Sequence, residues 1–437
     1  MSAILRNVRP LGGDSVDVLI DNGRIAAIGL ALPTSDAEEF DGAHGVLLPG
    51  LVDLHTHLRE PGREDAETVK SGTAAAARGG FTAVFAMANT TPVADTASVV
   101  EQVWRLGREA GNCDVYPVGA VTVGLKGERL AELGTMAASA AAVRVFSDDG
   151  HCVSNALVMR RALEYVKAFD GVIAQHAQEP ALTDGADMNE GSVSASLGLK
   201  GWPRVAEEAV IARDLMLADY TQSRLHVCHV STAGSVELIR QAKLKGVRVT
   251  AEVTPHHLVL TDELARSYDP VFKVNPPLRT AADTQALRNA LLDGTIDAVG
   301  TDHAPHADED KDCEWGCASF GMLGLQTALS VVLQALRDSG SVDWELIAQR
   351  MAITPAAIGG AMEHGRPIAV GEPANLVVID PDAEWTVDPR ELGSKSINSP
   401  FAGRTLPGVI RRTMLRGRTT YDALSHMTDS AGEAVAR

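Results

Sequence analysis

The rhythm of the chain from about residue 47 to about residue 301 constrains its fold more than any single motif does. Apolar strand-like runs alternate there with helical stretches, the pattern of a parallel sheet with helical crossovers. Strands are predicted at about 47–54, 81–87, 114–120, 142–147, 171–176, 224–229, 248–253 and 296–301. Helices are predicted between them, for example at about 95–109, 154–168, 204–219 and 234–245, with more at about 322–337 and 344–351. Dividing the 437 residues by a typical domain size would give about three domains. Eight strands in about 255 residues instead match one (β/α)8 barrel, which runs to about 250 residues.

The flanks have a different texture. Ser15 to Ile20, the turn Asp21-Asn22-Gly23 and Arg24 to Gly29 read as strand, turn and strand. Ala374 to Asp380 and Gly408 to Gly417 read as strands beyond the barrel. The expected organisation is therefore a small composite β domain from both chain ends, residues 1–46 and 363–424, around a barrel at 47–362. Residues 425–437 are small and polar and read as a disordered tail.

The formal charge of −18, from 57 acids against 39 Lys and Arg, argues against nucleic acid or anionic membrane as a partner. An anionic small substrate would need a local positive site built against that field. No apolar run approaches the ~18 residues that span a bilayer. The first residues lack a secretory pattern, so a cytoplasmic location is expected. Five cysteines, an odd number in a large chain, do not suggest a disulfide framework, and Cys313 and Cys317 read as two loop thiols.

Metal-capable residues fall at the C-terminal ends of the predicted strands, where barrel active sites are built. His55 and His57 close the first strand; two residues apart on a strand, they face one side. Asp148 and Asp149 follow the fourth strand, His176 closes the fifth and His229 the sixth. Asp302, His303 and His306 follow the eighth. Ten of the thirteen histidines lie between residues 55 and 306. One such histidine is more often a hydrogen-bonded core residue. Four His and two Asp converging on one mouth make the ligand set of a two-metal hydrolytic site. Asp148 and Asp149 point to different sides of the strand end, so one of them can bridge, and spacing alone does not say which. Arg59, two residues past His57, puts a guanidinium beside the metals, ready for a bidentate carboxylate contact.

Several segments, in order along nearly the whole chain, resemble the dihydroorotases of the amidohydrolase superfamily. They are His55-Thr56-His57-Leu58-Arg59-Glu60-Pro61-Gly62, Met87-Ala88-Asn89-Thr90-Thr91-Pro92, His226-Val227-Cys228-His229-Val230-Ser231, Glu252-Val253-Thr254-Pro255-His256-His257 and Thr301-Asp302-His303-Ala304-Pro305-His306. Asn275-Pro276-Pro277-Leu278-Arg279 and Ser399-Pro400-Phe401-Ala402-Gly403 fit the same family. The resemblance implies zinc-dependent, reversible cyclisation of N-carbamoyl-L-aspartate to (S)-dihydroorotate in de novo pyrimidine synthesis. It implies two Zn2+ per subunit, a hydroxide bridging them, and Asp302 as general acid/base that also touches a zinc. By the same resemblance His55 and His57 hold one zinc, His176 and His229 the other, and Asp149 bridges. Arg59, Asn89 and His306 then clamp the substrate α-carboxylate, with His57 also in contact with substrate. Asn275 and the Phe320-Gly321 backbone contact the ring. His151, His226, His256, His257 and His303 match no ligand position and are assigned supporting roles.

The chain departs from the family pattern at two places. Hydantoinases, dihydropyrimidinases and some dihydroorotases bridge their metals with a carbamylated lysine after the fourth strand. Here that stretch is Val145-Phe146-Ser147-Asp148-Asp149-Gly150, with no lysine until Lys167, which speaks against the competing reading as a hydantoinase. Met87-Ala88-Asn89 has Ala where the family usually has Pro, so a small backbone adjustment is expected with Asn89 kept in place. Allantoinase is a further alternative, and a non-catalytic partner of aspartate transcarbamoylase a third, disfavoured because every ligand position is filled. A homodimer and an association with aspartate transcarbamoylase are the macromolecular partnerships the resemblance offers. The acidic stretch from Ala307 to Cys317 is expected to be a mobile loop closing over substrate.

Overall fold

The apolar run from Val46 to Val52 is not one strand. In the computed structural model, which describes residues 2–33, 37–340 and 342–424, it breaks at Gly50 into Val46–Pro49 and Leu51–Thr56. The first piece pairs with Ser2–Pro10 on one side and Leu376–Thr386 on the other; the second opens the barrel. Gly50 allows the break because the chain there lies against Thr82: a Cβ would sit 2.2 Å from the Thr82 methyl carbon. The strand expected at 47–54 therefore serves two sheets.

The end sheet runs Arg418–Asp422, Thr405–Leu415, Leu376–Thr386, Val46–Pro49, Ser2–Pro10, Val16–Asp21, Arg24–Gly29, with Glu38–Asp41 paired to Ser2–Pro10. Both chain ends thus share one sheet, and Leu5, Val18, Ile20, Leu47, Leu376 and Val378 fill its apolar side. Arg418–Asp422 was not anticipated; its polar Arg-Thr-Thr-Tyr-Asp sequence carries little strand signal without its partner. Residues 425–437 lie outside the described residues.

The barrel strands are Leu51–Thr56, Phe81–Ala86, Asp114–Pro117, Val145–Phe146, Val172–Gln175, Arg224–Val227, Val249–Val253 and Ala298–Val299. Pairing is parallel throughout. Third and fourth strands join through Gly119 and Phe146, where Gly119 N–H donates to Val145 O (3.1 Å) and Ser147 N–H to Gly119 O (2.9 Å). Eighth and first join through Thr56 and His303, with His57 N–H donating to His303 O at 2.9 Å. The ring of a (β/α)8 barrel is complete.

Helices Val69–Arg78, Ala97–Ala110, Ala156–Val166, Val205–Thr221, Ala233–Leu244, Ala281–Asp293 and Ala328–Asp338 surround it. Their starts are set by side chains that accept orphan backbone N–H groups: Thr68 from Ser71, Asn155 from Leu157, Thr232 from Ser235 and Thr280 from Asp283. The helix expected from about residue 322 begins at Ala328, because Gly324 and Leu325 give their N–H groups to His303 Nδ1 instead (3.2 and 3.5 Å). Inside the barrel, Val52, Leu54, Phe85, Val118, Val172 and Ala298 pack together. Thr354–Gly359 closes the floor, where a Cβ on Gly359 would meet Phe85 Cζ at 2.1 Å. The opposite end is polar.

Candidate metal centre

The buried polar residues at the strand ends converge on one carboxylate. Asp149 Oδ2 lies 3.3 Å from Nε2 of both His55 and His57. Its Oδ1 lies 3.1 Å from His176 Nδ1 and 3.2 Å from His229 Nε2. Asp302 Oδ1 approaches the first pair, at 3.2 Å from His57 and 3.5 Å from His55. Two adjoining donor groups result, His55, His57, Asp149 and Asp302, then Asp149, His176 and His229, with the donor atoms of each within 4.8 Å of one another. All six side chains are buried.

The backbone bends to aim them. Arg59, His229 and Asp302 have φ of 59°, 31° and 47°, left-handed values that cost non-glycine residues energy and cluster at functional sites. Asp148 turns the other way: its Oδ1 accepts from Thr122 N–H at 2.9 Å and its Oδ2 from the Thr122 hydroxyl. It anchors the loop after the third strand.

Three imidazoles are held in one tautomer. His55 Nδ1 donates to Glu252 Oε1 (2.7 Å), His57 Nδ1 to Asn89 Oδ1 (2.8 Å) and His176 Nε2 to Gln178 Oε1 (2.7 Å). Each oxygen fixes a proton on the outer nitrogen and turns the inner nitrogen toward Asp149. Behind Glu252, His226 Nε2 stands 3.1 Å from Oε2, and His226 Nδ1 meets the Thr250 hydroxyl at 2.9 Å. Gln178 also accepts from Asn275 Nδ2 (3.0 Å) and donates to the Thr183 hydroxyl (2.8 Å).

Glu252 and Gln178 were missed in the sequence. Glu252 carried a readable sign: an acid flanked by Ala251 and Val253 in the strand Val249–Val253 demands a buried partner. Gln178 carried none, being one polar residue in a loop. Of the other histidines, His303 Nε2 faces Glu67 (3.4 Å) and His257 Nδ1 meets the Thr254 hydroxyl (2.7 Å). His256 is buried nearby, and His151 is exposed.

The electrostatics follow from the crowding. Burial opposes charge on His55, His176, Asp149 and Asp302, but the opposite charges outweigh it. His55 is raised well above the usual imidazole range by Asp149 and Asp302. His55 and His57 pull Asp302 down to about 2, and Asp149 is held well below the usual carboxylate range, with His55 the strongest of its partners. Burial pushes the neighbouring Cys228 thiol up to about 12, so it stays protonated.

Arg59 lies at the rim, its Nε donating to Pro305 O at 3.0 Å. Burial lowers it to about 10, which leaves it charged at neutral pH. His306 Nε2 donates to Phe320 O at 2.8 Å. A Cβ on Gly321 would stand 2.7 Å from that nitrogen, so glycine makes room for the ring. The Phe320 ring packs on Trp202 and under Lys273 Nζ, 4.6 Å from its centroid. Asn89 lies beside His57, its Oδ1 2.8 Å from Nδ1, with Ala88 fully buried behind it.

The Ala307–Cys317 segment lies packed against the barrel. Lys311 Nζ donates to the carbonyls of Pro270, Lys273 and Ser319 (3.0, 3.0 and 2.7 Å). Arg63 pairs with Asp310 at 2.6 Å, and Trp315 is buried. All five cysteines are free thiols.

The donor set fits a divalent metal. His55 Nε2 is buried with no hydrogen-bond partner, and imidazole nitrogens with carboxylate oxygens are the ligands borderline cations take. No helix among the described residues is long and apolar enough to cross a membrane.

Residues 44–235 match the family described as dihydro-orotase-like. The chain is 64% identical over 417 residues to a dihydroorotase of Streptomyces coelicolor, covering 95% of this chain and 97% of that one. It is 61% identical to a dihydroorotase of Leifsonia xyli, over 93% of both chains. A dihydroorotase of Mycobacterium tuberculosis is 57% identical, over 96% of this chain and 98% of that one. Among solved structures, the L-hydantoinase (dihydropyrimidinase) from Arthrobacter aurescens superposes with a TM-score of 0.85 at 27% identity, covering 96% of each chain. The dihydropyrimidinase from Brevibacillus agri shares the fold, with a TM-score of 0.82 at 23% identity, over 97% of this chain and 95% of that one.

Proposed function

The chain belongs to the dihydroorotase family, and we propose from that premise how its barrel mouth carries out the reaction. The protein is an enzyme, a dihydroorotase acting in pyrimidine biosynthesis on a small-molecule substrate. The chemistry is the reversible closure of N-carbamoyl-L-aspartate to (S)-dihydroorotate with loss of water.

One observation carries the assignment of residues: the two oxygens of Asp149 are divided between the His55/His57 pair and the His176/His229 pair. This is how a carboxylate is disposed when it bridges two ions. The reading is that each pair holds one Zn2+, with Asp302 beside the first. When bound, such a pair supplies Lewis acidity, which brings the pKa of a water from ~15.7 toward ~7.

The chain's own groups do the rest. Asp302 sits where it can take a proton from a water at the centre and pass it to a ring nitrogen. Arg59, with Nε tied to Pro305, presents its terminal nitrogens to the α-carboxylate as a bidentate clamp. Asn89 spends its oxygen on His57 and keeps its amide hydrogens for the same carboxylate. His306 gives Nε2–H to Phe320 O, and burial with the neighbouring Arg59 lowers it to about 3, so it borders the same carboxylate as a neutral ring. Asn275 and the Phe320-Gly321 backbone flank the ring.

Metal analysis alongside hydrolysis of dihydroorotate, hydantoin and allantoin tests the reading. The expected result is two zinc ions per chain and activity on dihydroorotate. Activity confined to hydantoin and allantoin would overturn it. A cytoplasmic location and a homodimer, free or bound to aspartate transcarbamoylase, belong to the same proposal; the mass of the native assembly tests the last two.

A further inference from the structure

A cavity of about 510 Å³ opens at the end of the barrel opposite the metal centre. It lies between the start of the third strand at Asp114, the last turn of helix Ala97–Ala110, and the Leu415–Arg418 turn of the end sheet. Trp104, Arg108, Asp114, Tyr116, Arg416 and Arg418 line it.

Its charge runs against that of the chain. Three guanidiniums face one carboxylate, in a protein of formal charge −18. The carboxylate is already saturated. Arg416 takes both Asp114 oxygens (2.6 and 2.9 Å), and His364 Nε2 takes one of them at 2.8 Å. Arg108 and Arg418 have no carboxylate partner among the described residues. Some exposed arginines elsewhere are paired, as Arg63 is with Asp65 and Asp310 and Arg105 with Glu109, whereas Arg129 and Arg404 have no carboxylate partner among the described residues; what sets Arg108 and Arg418 apart is that they share one cavity. Arg108 lies over the Trp104 indole, 4.8 Å from its centroid, and Arg418 is braced by a bond to the Gly111 carbonyl. Two pre-positioned, uncompensated guanidiniums beside an indole and a phenol are the donors a phosphate dianion and a flat ring require. The volume is that of a small-molecule pocket and far exceeds what a lone phosphate fills.

We propose that this cavity binds a phosphate monoester of a ring-bearing small molecule, the chemistry of a nucleoside monophosphate, at a site separate from the metal centre. Arg108 and Arg418 take the phosphate, Trp104 and Tyr116 border the ring, and Arg416 holds Asp114 away from the anion. The inference stands apart from the catalytic assignment, because none of these residues belongs to it.

Calorimetric titration of the metal-loaded full-length protein with adenosine monophosphate, ribose 5-phosphate, adenosine and inorganic phosphate provides the test. Adenosine monophosphate is expected to bind tightest. The Arg108→Ala/Arg418→Ala variant should bind it roughly tenfold or more weakly, as expected for lost charge-assisted bonds. Its dihydroorotate hydrolysis without nucleotide should be unchanged. Arg108→Glu, which leaves the Arg418 brace intact, should weaken binding as well. Undiminished binding in both variants would place the anion at the metal centre and overturn the proposal. So would adenosine or inorganic phosphate binding as tightly as the monoester, or no binding by any of the four.

Discussion

Glu252 Oε1 lies 2.7 Å from His55 Nδ1, although the strands that carry them, the seventh and the first, are not neighbours in the barrel. The contact crosses the barrel interior and fixes which nitrogen of His55 faces Asp149. Glu252→Gln keeps the shape but removes the charge that His55 and His226 both face. Metal affinity, read by chelator competition, should fall about 10- to 100-fold, the usual cost of losing such a partner. Affinity equal to that of an exposed control, Glu237→Gln, would show that Glu252 only fills space.

Asp149→Ala removes the one carboxylate both histidine pairs share, and the purified protein should carry less than half its metal by elemental analysis. Asp148→Ala should keep its metal and lose about 1–3 kcal/mol of stability in urea unfolding, the cost of leaving the buried Thr122 N–H unpaired. The reverse pattern would reassign the bridge to Asp148.

Burial pushes Asp214 up to about 6 from the ordinary 3.8, against the opposing pull of Arg213 and of Gln175, which donates to it at 2.8 Å. Between those two values the folded chain keeps a proton that the unfolded chain has released. The contribution of this group is therefore fully present below about pH 3.8, declines as pH rises to about 6, and is flat above. Urea unfolding of metal-free wild type and Asp214→Asn at several pH values checks the sign. The stability difference between them should shift against the wild type by at most about 3 kcal/mol across that window. A parallel pair of curves would mean that Asp214 titrates normally.

Lys311→Met deletes an ammonium that satisfies three carbonyls at once. Limited proteolysis should then cut the Asp308–Lys311 helix and its flanks several-fold faster, the behaviour of a segment whose local opening has become easier. KM for dihydroorotate should rise if the packed position of this segment shelters bound substrate. An unchanged cutting rate would show that Arg63 and Trp315 hold the segment without the lysine.

The barrel was legible because it rests on repetition: buried parallel strands alternate with amphipathic helices, and each period reinforces the next. The candidate ligands were legible because four His and two Asp fall together at strand ends, where one alone is more often a hydrogen-bonded core residue, and the resemblance supplied the roles proposed for them. Asp149 shows what spacing could not decide. It and Asp148 are adjacent acids, and only the pairing of Asp148 with Thr122, from a different strand end, separates them. The split at Gly50 was hidden because both halves of the run are apolar, and the turn depends on Thr82, distant in sequence. The Gly324 and Leu325 amides left the helix pattern for His303, a tertiary bond that no local propensity encodes.

Val46–Pro49 has its two neighbours far apart in sequence, Ser2–Pro10 and Leu376–Thr386. During synthesis its second edge has no partner until Leu376–Thr386 has been made. The sheet that abuts the barrel therefore closes through a pairing between strands more than 300 residues apart. A chain cut before residue 376 would leave the buried, apolar Val46–Pro49 strand with an open edge, a ready template for pairing with another chain.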